Sequence, residues 1–460
     1  MNLNRYKCIS SYEVVLKKPV PPPNTDQILN ALLAKGSVPN NITDYKGRYL
    51  HWDKLRFIPQ PNGLTAEQNW ASIKYTRRRM YKRINIDDPN GKPFVFLYTD
   101  EIMKCLHWLD QNASGIIGSS QPIVNSQMKN TYLIRSLIDE SITSSQLEGA
   151  STTWLVAKEM LRQRRKPSDK NEQMIYNNYL AMHFIREFKH DPLTEDMVLE
   201  LHKILTENTL EDTDHSGYFR TNAENVNVVN YRGDILHIPP LADVLPERMK
   251  DVIAFANGAN SDIFMHPIIK AIILHFLIGY EHPFVDGNGR TARALFYWSM
   301  ANQNYWLMEY ISISKIIKKA PIKYGRAYLY TETDENDLTY FIEYHLQIIK
   351  QAIQDLCDYI DKKIKEIEYT ESLFSSAKEL SGKLNYRQLT ILKHAIKHPG
   401  YIYTIAEHQN SHGIVYDTAR LDLIQLSDKF DFLSKEKRSK GFIFKAPADL
   451  MIRIQNKVSN

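Results

Sequence analysis

A chain of 460 residues is too long for one ordinary domain. Its composition, 43% hydrophobic and 24% charged, is that of a soluble globular protein with a core of normal size, and a formal charge of +5 is too mild to mark a nucleic-acid binder by itself. The three cysteines, Cys8, Cys105 and Cys357, lie too far apart for a CxxC metal pattern or a disulfide framework. They lead to reduced thiols and a cytoplasmic location. The start carries no secretory signal, and no run of the roughly 18 apolar residues that a membrane span needs occurs, so no membrane partner is expected.

Residues 1–121 read as an α+β N-terminal extension. Extended aromatic pieces at 12–16 and 94–98 alternate with polar turns, and the proline run at 19–23 reads as a polyproline-like connector. The aromatic and basic segment RYLHWDKLRF, 48–57, reads as a small packed subdomain, with a binding patch as the alternative.

From 122 to 371 the pattern is helical. Ile134, Ile138 and Ile142 are four apart and share one face. Further helical runs lie at 195–208, 241–257, 266–280, 289–302 and 337–367. The segment SITSSQLEGAS, 141–151, ends a helix: Gly149 is the stop signal, and Glu148 by itself is an ordinary exposed carboxylate. Residues 225–238 are rich in Val and Ile around Tyr231-Arg232-Gly233-Asp234, which predicts a β-hairpin ended by Pro239-Pro240. With no sheet to join, that hairpin reads as a surface flap beside a pocket. The apolar stretch 268–278 predicts a buried core helix, with His266 and His275 as core histidines.

The segment HPFVDGNGRTAR, 282–293, carries the chemistry. Gly287-Asn288-Gly289 directly precedes a helix, so tight backbone folding and unpaired helix N–H groups favour an anion there. Arg290 and Arg293 are one turn apart and can reach toward the same phosphates. Cations at the positive end of a helix dipole otherwise lack a reason. Asp286 is a hard oxygen ligand of the kind Mg²⁺ uses beside phosphates. His282 can take a proton from a hydroxyl near neutral pH, and Phe284 points inward as an anchor.

This segment resembles the Fic family signature HxFx(D/E)GNGRxxR at every defined position. The resemblance implies a mainly α Fic-type core within 122–371. It implies His282 as general base, Asp286 as the Mg²⁺ ligand, and Gly287, Asn288 and Gly289 as the nest for the α- and β-phosphates of ATP. Arg290 becomes a phosphate clamp and Arg293 the γ-phosphate contact. Ser144-Ser145-Gln146-Leu147-Glu148-Gly149 resembles the family's inhibitory motif (S/T)xxxE(G/N), on a helix at about 130–149. That implies Ser144, Glu148 and Gly149 as inhibitory residues, with Glu148 pairing with Arg293 in place of the γ-phosphate. Ser216 to Arg220 is similar to the G-x-x-R turn before the flap. The flap residues Val228, Val229, Asn230, Ile235, Leu236 and His237 are then expected to align an extended target segment by backbone pairing.

Residues 372–384 read as a linker, and 385–460 as a further domain. Helices are expected at 385–398, 403–409 and 411–426, the last capped by Ser411. Strands at 430–433 and 442–444 flank a basic loop, so the domain resembles a winged helix-turn-helix. Arg420 and Gln425 would face bases, and Lys435, Lys437, Arg438 and Lys440 would meet phosphates, whereas Asp417, Asp422 and Asp428 oppose DNA. DNA contact and protein contact, including a homo-oligomer, both stand as readings of this domain.

The expected function is an autoinhibited protein adenylyltransferase. It would move AMP from ATP, with Mg²⁺, to a Ser, Thr or Tyr hydroxyl of an unidentified target or of the chain itself. The alternatives are a de-adenylylating or bifunctional Fic enzyme, which shares every motif, and a DNA-binding regulator that senses nucleotide.

Overall fold

The computed structural model describes residues 15–34, 40–113, 126–259, 264–375, 383–438 and 441–459. Cys8, Lys440, residues 12–14 of the first extended piece and 376–382 of the linker lie outside them. The described residues fall into two compact units. The first lies within Met1–Ile116, Asp139–Thr152 and Ser168–Ala352, and the second within Ile117–Ile138, Thr153–Pro167 and Ile353–Asn460. The protein is mainly α-helical.

The first unit begins with α1 (Asp26–Ala34), α2 (Trp52–Leu55) and α3 (Ala66–Met80). A reciprocal cap starts α3: Thr65 Oγ1 accepts the Gln68 N–H at 3.2 Å, and the Gln68 side chain accepts the Thr65 N–H at 2.9 Å. Trp52 and Leu55 of the aromatic segment 48–57 are buried against Trp70 and Ile73, whereas its Phe57 is exposed. An antiparallel hairpin of β1 (Lys82–Asp87) and β2 (Pro93–Phe96) leads to α4 (Asp100–Ala113). The extended piece expected at 12–16 forms no strand at its described residues, 15 and 16. Helices outnumber strands in this region because the amphipathic runs of α3 and α4 have the 3.6-residue period that its conspicuous aromatics obscure.

Next in the first unit come the part of α5 (Ser126–Leu147) from Asp139 on, α7 (Lys170–Glu187) and α8 (Glu195–Thr206), while α6 (Trp154–Gln163) and the start of α5 belong to the second unit. The expected hairpin follows as β3 (Val228–Val229) paired with β4 (Ile235–His237). Then come α9 (Leu245–Ala256), α10 (Pro267–Glu281) and α11 (Asn288–Asn302). Every residue of α10 from 268 to 278 is buried except Lys270, as a helix apolar on all sides requires. It packs against α9 and α11, and α11 also packs against α7 and α8. The site therefore rests on the best-buried pair of helices. The unit continues through α12 (Ile313–Lys319), α13 (Pro321–Thr333) and the start of α14 (Thr339–Ser375).

The second unit contains α15 (Tyr386–Lys397), β5 (Ile402–Thr404), α16 (Ile405–His412), α17 (Tyr416–Ile424), β6 (Ser434–Arg438), β7 (Gly441–Lys445) and α18 (Leu450–Ser459). Its antiparallel sheet has the order β5-β7-β6. Three expectations are corrected here. The helix expected at 411–426 is divided: Ser411 lies inside α16, Gly413 ends α16 at φ 61°, and Val415 precedes α17 without a side-chain cap. The strand expected at 430–433 lies instead at Ser434–Arg438, because Phe430, Phe432 and Leu433 turn into the core. Asp422 does not face outward. It is buried against Arg387 at 2.6 Å and His408 at 3.0 Å.

Candidate active site

The core helix α10 ends at His282, whose backbone is left-handed at φ 46° and ψ 55°. This turns the chain sharply out of the helix and into the loop. His282 Nδ1 lies 3.2 Å from the carbonyl of Gly279. A carbonyl only accepts, so Nδ1 carries the proton and Nε2 keeps its lone pair. Burial lowers the imidazole pKa to about 4, so the ring is neutral at physiological pH.

Three contacts fix the loop beyond His282. Phe284 is fully buried and stacks on His202 with ring centroids 3.7 Å apart. The Asn288 side chain accepts the Phe284 N–H at 2.9 Å and donates to the Phe284 carbonyl at 2.7 Å. Its amide thus clamps the loop, while its backbone opens α11. His202 Nδ1 accepts the Gly217 N–H at 3.0 Å, so its Nε2–H donates to the Asp286 carbonyl at 2.8 Å. Burial lowers the His202 pKa to about 4, which keeps that tautomer neutral. The Asp286 carboxylate is half exposed and accepts the Gly287 N–H at 2.7 Å.

Gly287 stands at φ 89° before α11, where no side chain caps the helix. The first N–H groups of α11 are thus left to a ligand. Arg290 is buried: Nη1 donates to the Leu205 carbonyl at 2.7 Å, while Nε and Nη2 have no hydrogen-bond partner. Its nearest carboxylate, Asp286, is 3.9 Å away. Buried donors without acceptors are costly and suit an anion.

The last turn of α5 faces this nest. Arg293 Nε donates to Ser144 Oγ at 2.8 Å, and Nη2 donates to the Ser144 carbonyl at 3.0 Å and to Glu148 Oε1 at 2.8 Å. Burial disfavours the Arg293 cation, but the charge and hydrogen bond of Glu148, with Tyr324 and Glu140, together outweigh it, so the guanidinium pKa lies above its ordinary value. A Cβ added to Gly289 would lie 2.2 Å from Glu148 Oε1. The carboxylate therefore occupies the space directly over the nest. Gly149, at φ 95°, ends α5, with the Ala150 N–H on the Ser145 carbonyl at 3.0 Å. Glu140 holds α5 from within, accepting from Tyr297 Oη at 2.9 Å and Ser312 Oγ at 2.8 Å.

His282, Asp286, Gly287, Gly289, Arg290, Arg293, Ser144 and Glu148 thus meet in one place. In the flap, Val228 and Val229 are half-buried and Ile235 is exposed. Asn230, Leu236 and His237 are buried. Asn230 organises the turn, accepting from Arg232 N–H at 2.9 Å and Asp234 N–H at 3.0 Å. His237 lies 2.7 Å from both Glu332 and the Tyr280 carbonyl. His275 is buried and His266 sits beside Asp110 at 3.1 Å. Arg420, Lys435, Lys437 and Arg438 belong to the second unit and are exposed, Lys435 being paired with Asp428. Sequence reasoning missed His202 and Glu140. A histidine on a helix and a lone buried carboxylate give no spacing signal.

Among the described residues, no group of three or more metal-binding side chains occurs, and no helix is long and apolar enough to cross a membrane. Cys105 and Cys357 are free thiols.

The loop, the uncapped start of α11, the two buried guanidinium groups and the neutral His282 ring are thus gathered at one end of α10. Residues 192–300 match the model of the Fic/DOC family, and the chain carries a Fic/DOC family domain. The chain is 34% identical over 107 residues to protein adenylyltransferase fic-1 of Caenorhabditis elegans, covering 23% of this chain and 19% of that protein. It is 25% identical over 207 residues to the Caenorhabditis briggsae protein of the same name, covering 44% and 38%. It is 29% identical over 155 residues to protein adenylyltransferase Fic of Drosophila ananassae, covering 32% and 29%. The matches therefore span well under half of those relatives. Among solved structures, a Fic family protein from Desulfovibrio desulfuricans matches with a TM-score of 0.46 at 17% identity, over 76% of this chain and 96% of that one. A piece of Fic-1 from C. elegans matches with a TM-score of 0.47 at 17% identity, over 75% and 90%.

Proposed function

We propose that this chain transfers AMP from ATP to a Ser, Thr or Tyr hydroxyl of a protein, and that Glu148 holds the activity down at rest. The observation that carries the reading is the Glu148 carboxylate over Gly289, bonded to Arg293 at an uncapped helix N-terminus. It is an anion of the chain's own in the place suited to a phosphate. Family membership and the names of the relatives support the same chemistry.

In the proposed reaction the target hydroxyl oxygen bonds to the α-phosphorus. The bond from that phosphorus to the β-bridging oxygen breaks, and pyrophosphate leaves with the electron pair. The hydroxyl proton goes to His282 Nε2. Arg290 and Arg293 neutralise charge on the leaving pyrophosphate. Asp286 is the carboxylate that would hold Mg²⁺ beside the phosphates, where the ion would add to the neutralisation of their charge.

The test compares ATP labelled on the α-phosphate with ATP labelled on the γ-phosphate. Wild-type and Glu148→Gly chains are each incubated alone and with cell lysate. Label from the α-phosphate alone should enter protein, more strongly with Glu148→Gly. Labelling from the γ-phosphate, or none from either, rules out adenylyl transfer.

A further inference from the structure

A left-handed backbone is strained for a residue with a side chain, so the surroundings of His282 must hold it there. One side chain does much of this. Arg220 Nε donates to the His282 carbonyl at 2.9 Å. Its Nη2 donates to the Pro240 carbonyl at 2.5 Å and reaches the Glu281 carbonyl at 3.4 Å. The backbone N–H of Arg220 donates to the Pro283 carbonyl at 2.9 Å. Arg220 thus grips three successive residues around the bend, and also the residue that closes the flap just beyond β4.

The charged groups nearby are already engaged. Arg248 takes the Glu281 carboxylate with two hydrogen bonds, at 2.7 and 2.6 Å. His237 is paired with Glu332, and Glu224 caps Thr221. Apart from the bond to Pro240, the Arg220 guanidinium bonds go to the Glu281 and His282 carbonyls at the C-terminal end of α10, where the helix dipole favours a cation. A planar fork suits several acceptors at fixed angles, and an ammonium group does not.

We infer that Arg220 is a positioning residue for the transfer reaction: it sets the distance between the base His282 and the flap that would align the target chain. This rests on the adenylyl-transfer reading above. Arg220 touches neither the reacting atoms nor the phosphate nest, so its loss should spare ATP binding and impair attack by the hydroxyl.

The test places Arg220→Lys and Arg220→Met in the Glu148→Gly chain, with ATP labelled on the α-phosphate and total lysate protein as acceptor. Both should lower the maximal rate, Arg220→Met on the order of 100-fold, and leave the affinity for ATP unchanged. The pH profile is the second readout. The parent should be flat from about pH 6 to 8, because its base is already neutral there. The variants should climb with pH, because a hydroxyl without an aligned base must ionise unaided. A variant that was only less stable would lose amplitude and keep the parent's profile. Unchanged rates, an unchanged profile, or a loss shared equally with ATP binding would overturn the positioning role while leaving the adenylyl-transfer reading intact. Absence of transfer in the Glu148→Gly parent would overturn both.

Discussion

Arg293 Nη2 donates to Glu148 Oε1 at 2.8 Å, yet the two partners are not equally fixed. The Arg293 side chain is 2% exposed and is also held by Ser144, whereas the Glu148 side chain is 29% exposed and sits at the end of its helix. If the pair opens, the carboxylate can swing into water and the guanidinium cannot. A buried cation is then left in need of an anion. A ligand phosphate is the natural replacement, and this asymmetry suits the pair to the brake proposed for it.

The first expectation is kinetic. Glu148→Gly removes the competing anion and leaves the nest intact, so AMP incorporation should rise roughly 10- to 100-fold, the range that about 1.5–3 kcal/mol of a charged hydrogen bond represents. Initial rates with α-phosphate-labelled ATP measure it. An unchanged rate removes the brake.

A second follows for stability. In Glu148→Gly the Arg293 charge is buried without its partner, so the melting temperature should fall below that of the parent. Saturating ATP should then raise it by more than it raises the parent's, because the ligand supplies the missing charge. Thermal unfolding with and without ATP would show the difference, and equal ATP shifts in both chains would count against competition for Arg293.

Much of this site was legible because its residues are contiguous. His282 to Arg293 follow one another along a helix end, a loop and a helix start, so their spacing alone fixes their proximity. Glu148 is 145 positions from Arg293. Its place could be read only from a family resemblance, since no local period links the two. The sequence places Arg220 in a turn, but its grip on the carbonyls around His282 depends on where α10 ends in space. In the second unit β6 and α17 depart from the positions expected from sequence for a related reason. Aromatic residues at Phe430 and Phe432 look like strand, but tertiary packing takes them into the core and leaves the basic run to pair with β7.

A third prediction concerns pH. Burial holds His282 and His202 at about 4 and His345 at about 3, below the 6.5 of a free histidine. Between about pH 6.5 and 4 the unfolded chain binds these protons and the folded chain does not. Folding stability should therefore be full above about pH 6.5 and fall steadily as pH drops toward 4. Denaturant midpoints measured across that range would check the sign. A midpoint that rose on acidification would mean that other groups outweigh the histidines.

The last prediction tests whether Glu148 and phosphate compete for one place. Gly289 lies in the first turn of α11 with ordinary helical torsions, so alanine is conformationally acceptable there. Only space forbids it: the new methyl would stand 2.2 Å from Glu148 Oε1 and 3.1 Å from Arg293 Nη1. In the parent, Gly289→Ala must push the carboxylate aside, which would release the brake if nothing else changed. If the carboxylate occupies the phosphate position, however, the same methyl crowds ATP. Gly289→Ala should then give no gain in transfer. In the Glu148→Gly chain, where no carboxylate remains to be displaced, it should weaken ATP binding at least about tenfold, the effect of about 1.4 kcal/mol of overcrowding. Calorimetric titration of ATP into Glu148→Gly with and without Gly289→Ala separates the cases. Equal affinities would mean that the phosphates bind elsewhere on the nest and that Glu148 does not stand in for them.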